Sequence, residues 1–327
     1  MPPITTVQAA LEYRQRLQAI EPSVNYLMSL YLHPSITPDT IREAKKAGIA
    51  GVKSYPAGVT TNSSSGVVDY ELFYPVFRAM EEEDLVLNLH GEAPPSPAGS
   101  KAIDQITVLN AEAAFLPTLQ SLHKLFPKLR IILEHCTTAA AVEAVKACGP
   151  NVAGTITAHH LFLVIDDWAG DPINFCKPVA KLPSDRVALL KAATSGHPKF
   201  FFGSDSAPHL LSAKKGLSDG GLGAGKCAAG VFTQPNVVGF VLEAFDNAVK
   251  TGVVSKDTLT REVVEAFLGR SGRRFYKVED AKGKLKVQAQ AATVENVHVS
   301  GKSEAGQMEQ TVVTFRSGKA TYKVDWI

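Results

Sequence analysis

The sequence lacks a strong charge bias, a long apolar run and any closely spaced pair of cysteines. Its 327 residues contain 34 Lys and Arg against 32 Asp and Glu, a formal net charge of +2, so composition gives no reason to expect a nucleic acid or an acidic membrane as a partner. Apolar runs such as Ile131-Ile132-Leu133 and Leu161-Phe162-Leu163-Val164-Ile165 are far too short to cross a bilayer. Residues 1–20 carry no apolar core behind a basic start, so we expect no secretory signal.

Cysteine usage indicates a reducing compartment. None of the cysteines forms a CxxC pair, and a domain of this length needs no disulfide to hold its core. We therefore expect free thiols in a cytoplasmic protein; the positions are Cys136, Cys148, Cys176 and Cys227. A dinucleotide-binding fingerprint is also missing, because the cluster Gly220-Gly221-Leu222-Gly223 does not follow a strand.

Six short apolar segments alternate with helical segments along most of the chain. This alternation is typical of a parallel sheet built from βαβ units, although a closed barrel takes eight strands. Residues from 275 onward mix polar and apolar positions, which indicates short strands outside the barrel. We predict one domain over residues 1–327, with a barrel core at about 1–274 and an extension at about 275–327. The predicted strands are residues 26–32, 50–55, 85–90, 130–135, 152–157 and 199–205.

Four of the predicted strands end in a side chain that could serve a metal site. These side chains are Lys53, His90, His135 and Asp205. One histidine at a strand end is more often a satisfied structural residue. However, the carboxyl ends of barrel strands face the active-site mouth, so four such residues at corresponding positions favour a site.

Asp205 stands where an apolar strand should end, four residues before His209. An ionisable pair in that position is costly unless a metal, a substrate or a proton transfer uses it. The alternative is a capping aspartate beside a surface histidine.

Lys53 differs from the other three because an ammonium group cannot bind a metal. A lysine within an apolar strand has a lowered pKa, and its neutral amine can add carbon dioxide. The resulting carbamate is an anionic oxygen ligand that can bridge two cations. The alternative is a lysine that makes a salt bridge or extends its charged end to water.

Five sequence motifs occur in an order that is specific to one enzyme family. They are VKSYP at 52–56, TTNSS at 60–64, LHGE at 89–92, EHCTT at 134–138 and GSDSAPH at 203–209. Together they resemble the single-function, bacterial and fungal type of dihydroorotase, a branch of the amidohydrolase superfamily, and the resemblance covers Pro3 to about Phe275. It implies a TIM-type (β/α)8 barrel, zinc as cofactor, and the reversible cyclisation of N-carbamoyl-L-aspartate to L-dihydroorotate in pyrimidine biosynthesis.

The resemblance also implies roles at the metal site. Lys53 corresponds to an N6-carboxylysine that bridges two zinc ions, and His90 and His135 correspond to the imidazoles on the second zinc. Asp205 corresponds to a ligand of the first zinc that serves as general base and acid for a zinc-bridging hydroxide.

Further positions resemble the family's substrate contacts. His209 matches a contact to the substrate carboxylate, and Ala229 with Gly230 matches the backbone that holds the same group. Thr60 and Thr61 match a mobile loop that closes over the substrate, and Lys177 matches a main-chain contact to the ring. His159 and His160 have no role by motif and are expected to support the site or the core.

One part of the family pattern has no counterpart in the sequence given. The family begins with a strand bearing His-x-His-x-Arg and a second strand with an Asn, whereas Met1 opens a segment that resembles the chain just after them. The first metal would then keep only Lys53 and Asp205, so we expect one weakly bound zinc or none, and impaired or absent turnover. A shortened form of an authentic dihydroorotase is favoured over a silent paralogue, because Lys53, Asp205 and the closing loop are retained.

Two alternative functions stay open. A hydantoinase-like hydrolase of another cyclic amide is separated from a dihydroorotase by comparing hydantoin with carbamoyl aspartate as substrate. A catalytically impaired barrel remnant that acts as a partner subunit is tested by size measurement and a zinc count. The resemblance implies a small-molecule substrate and a homodimer.

Overall fold

The computed structural model describes residues 3–59, 63, 65–96, 101, 105–217, 226–303 and 306–327. Thr60 and Thr61, which the sequence assigns to a closing loop, lie outside the described residues. The described chain divides into two compact units. The first unit comprises Met1–Glu134 and Glu143–Gly154, and the second comprises His135–Val142 and Thr155–Ile327. The assignment of residues 1–327 to a single hydrolase domain stays a prediction.

Six short parallel strands form a sheet whose strand order follows the chain, β1-β2-β3-β4-β5-β6. This order is the product of successive βαβ units, and it confirms the predicted α/β architecture with six barrel-type strands. The register places Lys53 opposite Asn88 and His90 opposite Glu134. The strands are β1 (Ser29–Tyr31), β2 (Gly51–Ser54), β3 (Val86–His90), β4 (Arg130–Glu134), β5 (Val152–Ile156) and β6 (Phe200–Phe202).

Helices connect the strands, and local sequence explains where several of them begin. Thr6 caps the first helix by accepting from the Ala9 N–H at 3.2 Å, and Thr37 and Thr40 form a reciprocal capping box at the second. No helix of the described residues is long and apolar enough to span a membrane. The helices are α1 (Val7–Ile20), α2 (Pro38–Lys46), α3 (Tyr74–Glu82), α4 (Ala111–Leu125), α5 (Ala139–Ala147), α6 (Ile165–Trp168), α7 (Pro183–Ala193), α8 (Leu211–Lys214), α9 (Val237–Lys250), α10 (Arg261–Glu265) and α11 (Ser271–Tyr276), with a π-helical turn at Ala266–Arg270.

The sixth strand is shorter than the sequence predicts. The predicted strand 199–205 narrows to Phe200–Phe202, because the chain turns at the residues that follow. Gly203 passes so close to β5 that an added Cβ would lie 2.9 Å from the Cβ of Thr155. Asp205 then adopts a positive φ of 41°, which is incompatible with a continuing strand.

The C-terminal residues form short strands, as predicted, in two antiparallel pairs. β7 pairs with β10 and β8 pairs with β9. β9 ends at Val312, and the Phe315 N–H beyond it donates to the Phe232 carbonyl at 2.8 Å. The strands are β7 (Leu285–Thr293), β8 (Val297–Ser303), β9 (Gly306–Val312) and β10 (Ala320–Trp326).

Gly51 allows β2 and β3 to approach closely, and replacing it with alanine is expected to destabilise the protein by about 1–3 kcal/mol. An added Cβ would overlap the carbonyl oxygen of Val86 and lie 2.9 Å from Oδ1 of Asn88. A ladder carbonyl cannot move without breaking its strand, so the overlap costs stability. Urea unfolding measures the loss. The matched control is Gly170→Ala, because an added Cβ there meets nothing within 4 Å; equal midpoints for the two variants would contradict the prediction.

Candidate active site

Lys53 is positioned by three neighbouring strands of the first unit. Its Nζ forms an ion pair with Oε2 of Glu134, and Nδ2 of Asn88 donates to Oε1 of the same carboxylate at 2.8 Å. The Lys53 side chain is 13% exposed, and its ammonium lies 5.1 Å from the ring centroid of Tyr55. The structure therefore contains the salt bridge that the sequence analysis gave as the alternative to a carbamate. It also gives Lys53 a carboxylate neighbour that could accept a proton.

His90 ends β3 and is almost completely buried. Its Nε2 lies 2.8 Å from Oε2 of Glu92, and the two side chains are 1% and 0% exposed. The His90 ring also lies 6.0 Å, centroid to centroid, from Tyr55. A buried carboxylate bonded to an imidazole fixes which ring nitrogen carries the hydrogen, so Glu92 sets the orientation of His90.

His135 and Asp205, both in the second unit, share an unusual backbone conformation. Their φ angles are +44° and +41°, and they are two of only five non-glycine residues with positive φ in the described chain. Such strain persists only where the surroundings impose it, and it clusters at functional sites. At His135 the backbone is held by its N–H, which donates to Oγ1 of Thr155 at 2.8 Å.

His209 contacts the backbone at the position that the sequence assigns to substrate binding. Its Nε2 bonds the carbonyl oxygen of Ala229 at 3.0 Å. Burial lowers the pKa of His209, which favours the neutral ring. Gly230 follows with φ +145°, and an added Cβ there would lie 2.8 Å from Nε2 of His209. Only glycine permits this approach.

Lys214 is buried in the same region and was not singled out from the sequence. Its ammonium donates to the carbonyls of Phe175, Ala228 and Gly230 at 2.7, 2.9 and 2.8 Å. Burial lowers the pKa of Lys214. Lys177, predicted to contact the ring through its main chain, lies two residues beyond Phe175, and its role stays a prediction.

His159, His160 and Cys176 form a buried cluster whose donor atoms lie within 4.8 Å of one another. Both ring nitrogens of His160 are engaged, Nδ1 with Thr157 at 2.8 Å and Nε2 with the Pro178 carbonyl at 3.0 Å. Burial, followed by the nearby Asp205, raises the pKa of the Cys176 thiol to about 12. Burial also holds the pKa of His159 well below its ordinary value. His160 is therefore satisfied inside the core, whereas both ring nitrogens of His159 are buried without a hydrogen-bond partner among the described residues, and the role of His159 stays a prediction.

Sequence reasoning missed Asn88, Glu92, Glu134 and Lys214. Glu92 and Glu134 lie inside the motifs LHGE and EHCTT. The sequence therefore showed a carboxylate close to His90 and to His135, but it did not show which side chain each carboxylate contacts. Lys214 carries no sequence signal beyond its place five residues after His209.

Comparison with known proteins identifies close relatives over nearly the full chain. A profile of the amidohydrolase family matches residues 32–278. The dihydroorotase of Saccharomyces cerevisiae is 45% identical over 339 residues, which cover 99% of this chain and 87% of that protein. The dihydroorotase of Mycosarcoma maydis is 43% identical over 360 residues, covering 98% of this chain and 86% of that protein.

Solved structures agree with these relationships. The crystal structure of the S. cerevisiae dihydroorotase in complex with 5-fluoroorotic acid matches with a TM-score of 0.83 and 43% identity, over 99% of this chain and 87% of that one. The Campylobacter jejuni dihydroorotase matches with a TM-score of 0.75 and 30% identity, over 99% and 85%. An L-hydantoinase from Arthrobacter aurescens has a TM-score of 0.71 but only 18% identity, over 90% and 67%, so that likeness extends to the fold alone.

Proposed function

The chain belongs to the amidohydrolase family and, within it, to the dihydroorotases, and from this we propose that it interconverts N-carbamoyl-L-aspartate and L-dihydroorotate at a zinc site formed by Lys53, His90, His135 and Asp205. The observation that carries the proposal is 43% identity with a TM-score of 0.83 to a dihydroorotase crystallised with 5-fluoroorotic acid. The two hydantoinases that resemble this chain are 18% and 15% identical, so nothing in the comparisons favours hydantoin as the substrate.

The donor chemistry of the proposed ligands fits zinc. Zinc prefers imidazole nitrogen and carboxylate oxygen, which His90, His135 and Asp205 supply, and a carbamate on Lys53 would add a further anionic oxygen. When bound, zinc would polarise the ring amide carbonyl and lower the pKa of a water molecule. The orientation that Glu92 imposes on His90 is typical of imidazoles that bind metals.

Asp205 is proposed to move the proton. In ring opening it would take a proton from the attacking water and pass it to the departing ring nitrogen, and in ring closure the transfers run in reverse. Its backbone φ of +41° turns the chain away from the β6 strand, so that the carboxylate is held by a strained turn rather than by the sheet.

The substrate carboxylate is proposed to bind at His209 and the N–H of Ala229. A carbonyl oxygen can only accept, so Nε2 of His209 must carry the hydrogen of its 3.0 Å bond to Ala229. The other ring nitrogen, Nδ1, can then donate to a carboxylate only when the ring is an imidazolium.

Binding of orotate is accordingly expected to tighten as the pH falls, by at most about tenfold per unit. The bound anion favours the imidazolium and raises the pKa of His209, whereas burial holds that pKa below 6.5 in the free protein. As the pH falls, the affinity for orotate should therefore increase until the pH reaches the pKa of His209 in the free protein, and then become constant. Isothermal titration between about pH 8 and about pH 5.5 measures this. The control is His209→Gln, which keeps a donor for Ala229 but cannot titrate; the same slope in that variant would contradict the prediction.

Ring opening of L-dihydroorotate and ring closure of N-carbamoyl-L-aspartate, each followed with added zinc and bicarbonate, test the proposed function. Interconversion of both compounds with no turnover of hydantoin is expected, and turnover of hydantoin alone would contradict it. A homodimer in the cytoplasm completes the proposal, and light scattering of the purified protein tests its size.

A further inference from the structure

Lys214 supplies an unusual connection between two segments of the second unit. The residue is 3% exposed, and its ammonium group donates hydrogen bonds to the carbonyls of Phe175, Ala228 and Gly230. No salt bridge joins it to a described carboxylate. The charge of Asp171 favours the ammonium form from a distance, but all three ammonium hydrogens go to neutral carbonyls, which is a costly arrangement for a buried cation and calls for a specific benefit.

The bond to the Ala228 carbonyl fixes the direction of the next N–H. In a trans peptide the carbonyl of one residue and the N–H of the following residue point in opposite directions. Lys214 draws the Ala228 oxygen towards itself at 2.9 Å, and the Ala229 N–H therefore points away from it. Among the described residues this N–H has no hydrogen-bond acceptor, so it is available to an incoming anion.

The surrounding contacts make the segment rigid from both sides. The N–H of Gly230 donates to the Phe175 carbonyl at 3.0 Å, the same oxygen that accepts from Lys214. In the same peptide group, between Ala229 and Gly230, Nε2 of His209 donates to the Ala229 carbonyl. His209, Lys214 and Gly230 also line one small cavity together with Ala207 and Phe232.

We propose that Lys214 is a positioning residue for substrate recognition, which acts by aiming the Ala229 N–H and by adding a buried positive charge behind the peptide that receives the substrate carboxylate. This inference rests on the proposed function and goes beyond it, because Lys214 matches none of the motifs from which the site was assigned. The neighbouring thiols do not neutralise the charge: burial raises the pKa of Cys176 to about 12 and also raises the pKa of Cys227, so both stay protonated at neutral pH.

The test compares Lys214→Met with Lys215→Met, a neighbouring exposed lysine. Orotate binding is measured by isothermal titration, and KM and kcat are measured for L-dihydroorotate. Lys214→Met should weaken orotate binding and raise KM by about ten- to a hundredfold, the range for a hydrogen bond to a charged group, while kcat changes little. Dihydrouracil has the same ring without the carboxylate, so its inhibition constant should be unchanged. Lys215→Met should behave as the unaltered protein.

Every outcome of these measurements either supports or overturns the positioning role of Lys214. Unchanged orotate binding in Lys214→Met, or an equal loss for orotate and dihydrouracil, would overturn the positioning role. If Lys214→Met does not fold, as judged by thermal melting, Lys214→Gln replaces it, since it keeps two donors for the carbonyls but no charge; failure of both to fold would show a purely structural lysine and also overturn the inference. Failure of the unaltered protein to bind orotate or turn over dihydroorotate would instead overturn the proposed function.

Discussion

Replacing Lys53 with methionine is expected to reduce turnover of L-dihydroorotate by more than about a hundredfold and to remove bound zinc. Loss of a supporting partner outside the ligand sphere already costs about ten- to a hundredfold at metal sites, and Lys53 is proposed to be a ligand itself through its carbamate. Zinc is counted by atomic absorption, and the intact mass of the unaltered protein should include one added CO2 that Lys53→Met lacks. Lys46→Met, at an exposed position of α2, serves as the control.

The ion pair between Lys53 and Glu134 gives this prediction a clear alternative. If Lys53 acts only as an ammonium that neutralises Glu134, no added CO2 will be found, and Lys53→Arg will restore both stability and turnover because it retains the pair. If the carbamate is required, Lys53→Arg will be as inactive as Lys53→Met, since a guanidinium cannot be carboxylated at neutral pH. Full activity of the arginine variant would contradict the proposed role.

Replacing Asp205 with asparagine is expected to lower kcat by about a hundred- to ten-thousandfold, the range for a lost general acid or base. Asparagine has nearly the same shape and also tolerates the left-handed backbone region, so the φ of +41° at this position should not distort the variant. Orotate binding should therefore change little. Asp166→Asn, on the surface of α6, is the matched control.

Two outcomes would count against the assignment of Asp205. A variant with normal kcat and a raised KM would indicate a residue that binds substrate rather than one that transfers a proton. A large fall in melting temperature would indicate that the carboxylate stabilises the turn. Steady-state kinetics and thermal melting, measured on the same preparation, separate these cases.

The fold was predictable because the signals that define it are local. Apolar segments of strand length, separated by helical segments, predicted all six parallel strands of the described sheet. The caps at Thr6 and Thr37 are likewise formed by residues close together in the chain. The predicted end of β6 was wrong, because the strand ends where Gly203 approaches Thr155 closely and Asp205 adopts a positive φ. Neither contact can be recognised from residue type alone.

The same distinction applies to the candidate site. Residues at strand ends could be proposed from the sequence, because the end of a strand is itself a local feature. Lys214 could not, because its function comes from carbonyls 39, 14 and 16 residues away along the chain. Glu134 is part of a recognisable motif, but its pairing with Lys53, 81 residues away along the chain, could be seen only once the register of the sheet was known.

Turnover of L-dihydroorotate by the zinc-supplemented protein, assayed beside Asp205→Asn, tests the central claim most directly. The account predicts formation of N-carbamoyl-L-aspartate, the reverse reaction at lower pH, and the loss of both in the variant while orotate still binds. Orotate binding without any interconversion in either direction, or equal turnover by the protein and Asp205→Asn, would contradict it.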